Sequence, residues 1–575
     1  MKNFFYCIFL IVWAFYTEAP LFGKDNKTGL RERVYVQTDK QLYLAGEPVL
    51  MKILTTNQEL KPIDFSKTVY VELVADSVAL LQIKVELTEG TGMGRMLLPV
   101  DLMTGYYRLI AYTQFMRNEG NDVFFEKNIA VYNSFQAPPV PPEGGETPLR
   151  NFTVDGTLPP LWGGQGEVKT DKTTYSTRAR GELTINGLPD NIFTLSVSIS
   201  GKELIPAAAS NISLFQQNLL KKTAGNTITA QHNVFLPEYE GHIVTGKIIN
   251  HLTGNQESDT VSLTSGLAFL GEGIRFFTGQ RNETGEILFF TSGITGTKEI
   301  ATIVYPASEK YRIDIQSPFI SRFAPKKMPV LHIDSTCLEN LLDRSVALQV
   351  FHYFAEETPE IQYVAPSNFK MKPTWNYPLD EYTRFATMRE VFVEFIIGAR
   401  FRNRDGKQEL SVYSQKDNNY YTYGAMPLVL LDGVPVSDHN LIYSYDPLAV
   451  ETINIYCVPY LFGGQLFDGI VELITYRRIH ADLNLNKSTQ ILSYEGPQLP
   501  YQIYTPDYSN EKNHEPRIPD SRHTLLWNTG VRLNGKNSIR LPFDTSDLTG
   551  EFQVTVEGVT KDGEMIFATA VFVVE

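Results

Sequence analysis

The residues that could do chemistry come first. Gly241-His-Ile-Val-Thr-Gly246-Lys247-Ile248 has the spacing of a phosphate-binding loop, in which backbone amides cradle phosphates and a hydroxyl after the lysine binds Mg²⁺. Ile248 stands where that hydroxyl is required, and the middle residues alternate like a strand, whereas such a loop is an irregular turn that opens a helix. The motif is broken. No His-Glu-x-x-His, Cys-x-x-Cys, Gly-x-Ser-x-Gly or EF-hand pattern occurs. The nine histidines are scattered, with His332 and His352 flanking a helical segment and His439 after Asp438 in a turn, and they read as surface or structural residues. Asp432 in Leu430-Leu-Asp-Gly-Val-Pro-Val follows an apolar run and precedes Gly433, so it reads as a hairpin turn rather than a catalytic acid. Arg400 and Arg402, near Arg404 and Lys407, read as a solvated edge rather than an anion site. No catalytic residue, metal ligand or cofactor is assigned, and a non-enzymatic role is expected.

The start of the chain has one cation, Lys2, then an apolar run that Thr17 and Glu18 close short of the ~20 residues a membrane helix needs. Residues 1–23 are therefore expected to be a signal peptide, with Cys7 inside its apolar run and no transmembrane span in the mature chain. Cys337 and Cys457 then remain, and either a disulfide between them or two buried free thiols fits. Such cysteine poverty in an exported chain of this size suits a bacterial envelope protein better than a secreted animal one. The formal charge of −14 argues against a general nucleic-acid binder.

These residues need a scaffold, and 575 residues exceed one hydrophobic core. Short alternating runs between Gly, Pro, Asn and Asp predict a mainly β chain, a string of immunoglobulin-like or macroglobulin-like sandwiches with one small α/β domain. The expected units are a sandwich at 30–134, a Pro/Gly-rich linker at 135–166, a second sandwich at 167–234 and a third at 235–322. A helical connector at 323–374, an α/β domain at 375–480 and a last sandwich at 481–575 follow. Two helices are read from spacing, one through Leu338, Leu341, Leu342, Leu348 and Phe351, the other through Tyr382, Phe385, Met388, Phe392 and Phe395. Thr38-Asp-Lys-x-x-Tyr43 returns as Thr170-Asp-Lys-x-x-Tyr175, an internal repeat in which a first strand turns at Asp-Lys into a second and the tyrosine covers the sandwich end.

Val34-Tyr-Val-Gln-Thr-Asp-Lys-Gln-Leu-Tyr-Leu-Ala-Gly-Glu-Pro-Val resembles the macroglobulin-type sandwich of alpha-2-macroglobulin relatives, and Leu98 to Asn118 resembles its bacterial branch. A Cys-Gly-Glu-Gln thioester is absent, which removes trapping of proteases through a reactive ester. Leu236 to Lys247 is similar to carboxypeptidase-regulatory-like sandwiches of Bacteroidota envelope proteins. Leu428 to Val436, Asp446 to Tyr456 and Phe467 to Tyr476 resemble, in order and spacing, the plug domain of TonB-dependent receptors, and fewer residues follow than a barrel requires. The whole resembles barrel-less Bacteroidota proteins that pair macroglobulin-like sandwiches with a plug-like domain. That resemblance implies a periplasmic or outer-membrane location and a non-enzymatic binding or scaffold role in outer-membrane assembly or transport. The implied partners are proteins of the outer membrane or periplasm, a β-barrel complex among them. The alternative is a thioester-less protease trap with a bait in Ala207–Ser210 or Gln216–Ala224. Asp432, Gly433 and Asp438, with Tyr460 and Phe462 of the aromatic loop, are the expected partner contacts.

Overall fold

A computed structural model describes residues 31–136, 166–202, 235–250, 252–256, 263–271, 273–305, 310–331, 333, 335–354, 361–363, 371–416, 419–422, 424–462, 465–478, 489–503, 505–509, 518–531 and 537–575. The expected signal peptide, residues 137–165 of the linker and both bait stretches lie outside these residues.

In the first sandwich, strands Arg33–Thr38, Pro48–Thr56 and Thr91–Leu97 form one sheet. Leu42–Leu44, Phe125–Tyr132, Gly105–Tyr112, Thr68–Ala75 and Val78–Glu86 form the other, in that order. Alternation sends Val34, Val36, Met51 and Ile53 inward, against Val69, Val71 and Leu109. Every residue of Arg33–Thr38 is buried, because its outward face is covered by another sandwich. There Tyr35 Oη donates to Glu557 Oε2 at 2.5 Å and Ser196 Oγ donates to Gln37 Oε1.

The repeat is one structural device used twice. Tyr43 Oη donates to Asp39 Oδ1 at 2.8 Å and Tyr175 Oη to Asp171 Oδ1 at 2.6 Å. Thr38 Oγ1 and Thr170 Oγ1 donate to the Lys40 and Lys172 carbonyls at 2.7 and 2.6 Å. Each turn carries the chain from one sheet to the other, where Leu42–Leu44 pairs parallel with Phe125–Tyr132 and Thr174–Tyr175 pairs parallel with Met565–Val574.

The second pairing corrects the expected domain division. Strands of 167–202 and those from Thr524 onward are not two sandwiches, at 167–234 and 481–575, but halves of one. Arg180–Asn186 lies between Glu167–Thr170 and Ser538–Asp544, and Ile192–Gly201 lies between Gly550–Thr560 and Thr524–Asn528. The cause is hydrophobic closure: Leu183, Ile185, Val197 and Ile199 meet Val554, Val556, Ile566 and Phe572 in one core.

The third sandwich sits within that interruption and is itself interrupted. Its strands Ile243–Asn250, Thr264–Phe269, Glu286–Phe290, Thr297–Tyr305 and Tyr311–Ile315 fall in the expected 235–322 span. Thr489–Glu495 returns to pair antiparallel with Thr297–Tyr305, so the unit does not end at 322. Gly241–Ile248, the rejected phosphate-loop spacing, runs into the first of these strands.

Helix α1, Ser335–Phe354, packs on the first sandwich through Leu341 and Leu348. The α/β domain follows, with strand order Trp375–Pro378, Val450–Tyr456, Ile470–Thr475, Leu428–Leu431 and Val434–Pro435. Its strands are apolar on both faces because both are covered. Leu428, Leu430, Tyr456 and Ile470 meet Ala268, Phe276, Ala301 and Ile303 of the third sandwich. Val429, Leu431, Ile453 and Leu473 meet helix α2, Met388–Glu394, and helix α3, His439–Tyr443. Helix α2 is shorter than its aromatic spacing predicts: the Thr387 capping box starts it, and Tyr382 instead stacks on Phe395 at 4.4 Å from outside it. No helix among the described residues is long and apolar enough to cross a membrane.

Candidate functional site

Asp432 and Gly433 form the expected turn, with φ of 51° and 84°, between Leu428–Leu431 and Val434–Pro435. The Asp432 carboxylate accepts from Thr475 N at 2.7 Å and Thr475 Oγ1 at 2.6 Å, tying the turn to the neighbouring strand. Gly433 faces the third sandwich, where an added Cβ would lie 3.5 Å from Leu270 Cδ2. Asp438 caps α3 by accepting from Asn440 N at 3.1 Å. Tyr460, in the strand Tyr460–Phe462, is half-buried against the same contact with the third sandwich, while the Phe462 side chain lies outside the described residues. The turn and the aromatic hairpin thus both serve the joint between two domains. Cys457 is a buried free thiol, and Cys337 falls in α1 with its side chain outside the described residues.

A carboxylate–histidine–tyrosine chain links the first and third sandwiches. Glu238 Oε1 lies 2.9 Å from His242 Nδ1, and His242 Nε2 lies 2.6 Å from Tyr494 Oη. Tyr70 Oη and Ile243 N both donate to the same Glu238 oxygen, at 2.9 and 2.8 Å. Burial pushes the His242 imidazole below its usual range, against the pull of Glu238, and no member is more than 7% exposed. The geometry suits proton transfer, but its location between sandwiches, sealed from solvent, makes it a polar joint. A second joint gathers Asp39, Lys40, Glu47, Arg344 and His523 where α1 meets two sandwiches. Among the described residues no group of three or more His, Cys, Asp or Glu could hold a metal ion.

The open feature is on the helix-covered side of the α/β domain. A concavity of about 1090 Å³ lies between α2 and the hairpin Ala399–Arg404/Lys407–Val412, which turns at Asp405-Gly406. Arg389, Arg400 and Arg402 line it with Phe401, Tyr413 and Tyr443. Alternation along Ala399–Arg404 puts Phe401 against Phe392 and Tyr443, with ring centroids 4.9 and 5.1 Å away. Its neighbours Arg400 and Arg402 go to the other face, their guanidinium carbons 4.8 and 5.3 Å from the Tyr413 ring centre. Arg400 Nε also donates to Tyr413 Oη at 2.6 Å, so stacking and a hydrogen bond hold its charge in place. Among the described residues the lining contains no carboxylate.

No family model matches the chain, and no curated protein sequence matches it. Solved structures do. The chain is similar to bacterial alpha-2-macroglobulins. The Escherichia coli protein activated by porcine elastase aligns at 9% identity and a TM-score of 0.24, over 95% of this chain and 44% of that one. The Salmonella protein reacted with methylamine aligns at 11% and 0.23, over 94% and 39%. The E. coli adhesin FdeC aligns at 10% and 0.14, over 53% and 66%. The chain therefore spans less than half the length of these macroglobulins.

Arg400 and Arg402 are legible in the sequence as a basic pair on an edge, and Arg400 is exposed on the edge of a two-stranded sheet. What converts them into the wall of a site is Tyr413, across the hairpin, and Arg389, on a separate helix. The alternation Arg-Phe-Arg before an Asp-Gly turn was the available signal.

Proposed function

We propose that this chain is a non-enzymatic binding and scaffold protein of the bacterial envelope, an accessory component of an outer-membrane assembly or transport complex. In this reading the interlocked sandwiches hold the plug-like α/β domain in a fixed pose against a protein partner. One arrangement supports it: the domain is fastened by one sheet face to the third sandwich, through Leu428, Leu430 and Ile470, while its other side carries an open, cationic and aromatic concavity. A rigid frame that presents a patch rich in Arg and Tyr is the composition of a binding surface. The polar clusters that resemble catalytic groups lie instead at joints between domains, where they bond the frame together.

The test is affinity purification of the full chain from native outer membranes, with the co-purifying proteins identified by mass spectrometry. A stoichiometric outer-membrane or periplasmic partner is expected. Recovery of the chain alone, in the soluble periplasmic fraction, overturns the proposal.

A further inference from the structure

Among the described residues the strand Ala399–Arg404 has one neighbour, Lys407–Val412, and the strand lines the concavity. Its hydrogen bonding can be counted from the register. Tyr413 N donates to Gly398 O at 2.8 Å, which makes 398 and 413 a hydrogen-bonded pair. Such pairs recur every second residue in an antiparallel ladder, so Arg400 with Ser411, Arg402 with Glu409 and Arg404 with Lys407 belong to the same class. The backbone N–H and C=O groups of Phe401 and Asn403 consequently point to the open edge, while Ala399, 4% exposed, is covered. Among the described residues no strand pairs with that edge. An unpaired edge beside a groove is a template for a further strand.

Among the described residues the charged side chains that line the groove have one sign. Arg389, Arg400 and Arg402 line the groove, and among the described residues none has a carboxylate within ion-pair distance; the nearby Glu409 pairs with Arg404 at 3.5 Å. Three guanidiniums with no ion pair among the described residues, in a chain of net charge −14, are a local reversal of charge. Val393, 70% exposed on α2, adds an apolar contact beside Arg389.

From the open edge and the unpaired arginines together we infer that the concavity takes an extended acidic peptide segment of the protein partner, added as a strand beside Ala399–Arg404 with its carboxylates on Arg389, Arg400 and Arg402. This rests on the binding-scaffold reading above and names the chemistry of its ligand. Backbone pairing supplies affinity without regard to sequence, and the arginines, held on Tyr413, supply the choice of an acidic segment.

The probe is a fluorescein-labelled peptide of alternating glutamate and valine, about eight residues long, titrated against the full chain by fluorescence anisotropy. It should bind at least about tenfold more tightly than the lysine–valine peptide and weaken as salt is raised. Equal binding of the two peptides overturns the inference. The double variant Arg400→Gln/Arg402→Gln, on side chains outside the core, should lose about tenfold with an unchanged unfolding midpoint; unchanged affinity overturns it. Two further peptides, N-methylated on alternate amides, test strand addition on the unmodified chain. One should lose binding and the other keep it, whereas equal behaviour removes the strand. The same double variant separates this inference from the scaffold reading. If affinity purification with it still recovers the partner of the unmodified chain, the docking site is wrong and the scaffold stands. If the unmodified chain binds the acidic peptide but recovers no partner, the scaffold reading alone falls.

Discussion

Arg344 of α1 forks onto Glu47 of the first sandwich, with Nη2 2.6 Å from Oε2 and Nε 3.0 Å from Oε1, and both side chains are 6% exposed. Burial alone would raise the Glu47 carboxyl, but Arg344 and Lys40 outweigh it and hold it at about 2. Arg344→Met removes the forked partner and leaves the carboxylate with Lys40 alone, 3.3 Å away, and breaking a buried pair costs up to about 3–5 kcal/mol. Chemical unfolding at neutral pH checks this. A loss below about 1 kcal/mol would class the pair with exposed surface bridges.

The two copies of the Asp-Lys turn should differ in what their tyrosines contribute. Tyr43 and Asp39 are both buried, and Asp39 also accepts from Leu50 N at 3.2 Å and Thr524 Oγ1 at 2.8 Å, so it joins two sandwiches. Asp171 is exposed and solvent can replace its bond. Tyr43→Phe is expected to cost about 1–3 kcal/mol and Tyr175→Phe less than about 1. Equal losses in urea unfolding would remove the distinction.

His439 gives the α/β domain a pH dependence of known sign. Leu410 N donates to its Nδ1 at 3.0 Å, so that nitrogen must stay unprotonated, and burial lowers the imidazole from 6.5 to about 4 despite Asp438 nearby. The unfolded chain therefore binds the proton first. This contribution is fully present above about pH 6.5 and is lost as pH falls toward 4. Relative to His439→Asn, which keeps an acceptor near Leu410, the unmodified chain should lose about 2 kcal/mol more between pH 7 and pH 5. Parallel pH profiles for the two proteins would refute it.

Burial lifts the Cys457 thiol to about 11, against a hydrogen-bonding contribution from Thr374, and the side chain is 6% exposed. Alkylation of the native chain near pH 8 should be slower than in the denatured chain by on the order of a hundredfold. A denatured chain that gains reactive thiol only after reduction would instead establish a Cys337–Cys457 bond.

The local devices were legible. Thr38-Asp-Lys-x-x-Tyr43 and its copy fix a turn by a threonine to carbonyl bond and a tyrosine to aspartate bond that need only six residues, and Asp432-Gly433 demands positive φ wherever it lies. Partnership was not. Leu183 and Ile185 announce an inward face, but nothing in their alternation says that Phe572 closes it, since any complementary apolar sheet face satisfies the same pattern. Tyr35 and Gln37 look like solvent positions of a half-buried strand and are covered by a unit assembled from elsewhere. The spacing of Tyr382, Phe385 and Phe395 imitates a helix, but Tyr382 and Phe385 reach Phe395 by ring stacking from a segment that precedes the helix. The concavity was not legible for the same reason as the sandwich halves: Arg389 and Tyr413, which flank Arg400 and Arg402, come from other parts of the chain.

The interrupted second sandwich has a consequence for synthesis. Ser196 Oγ donates to the Glu557 carbonyl at 3.1 Å across 361 residues of chain. As the chain emerges from the ribosome, Ile192–Gly201 has no neighbour on either side until the final strands are made, and two other units are completed first. Its bare edges and apolar face are exposed throughout that interval, the circumstance in which a nascent chain pairs with the wrong strand or requires a chaperone.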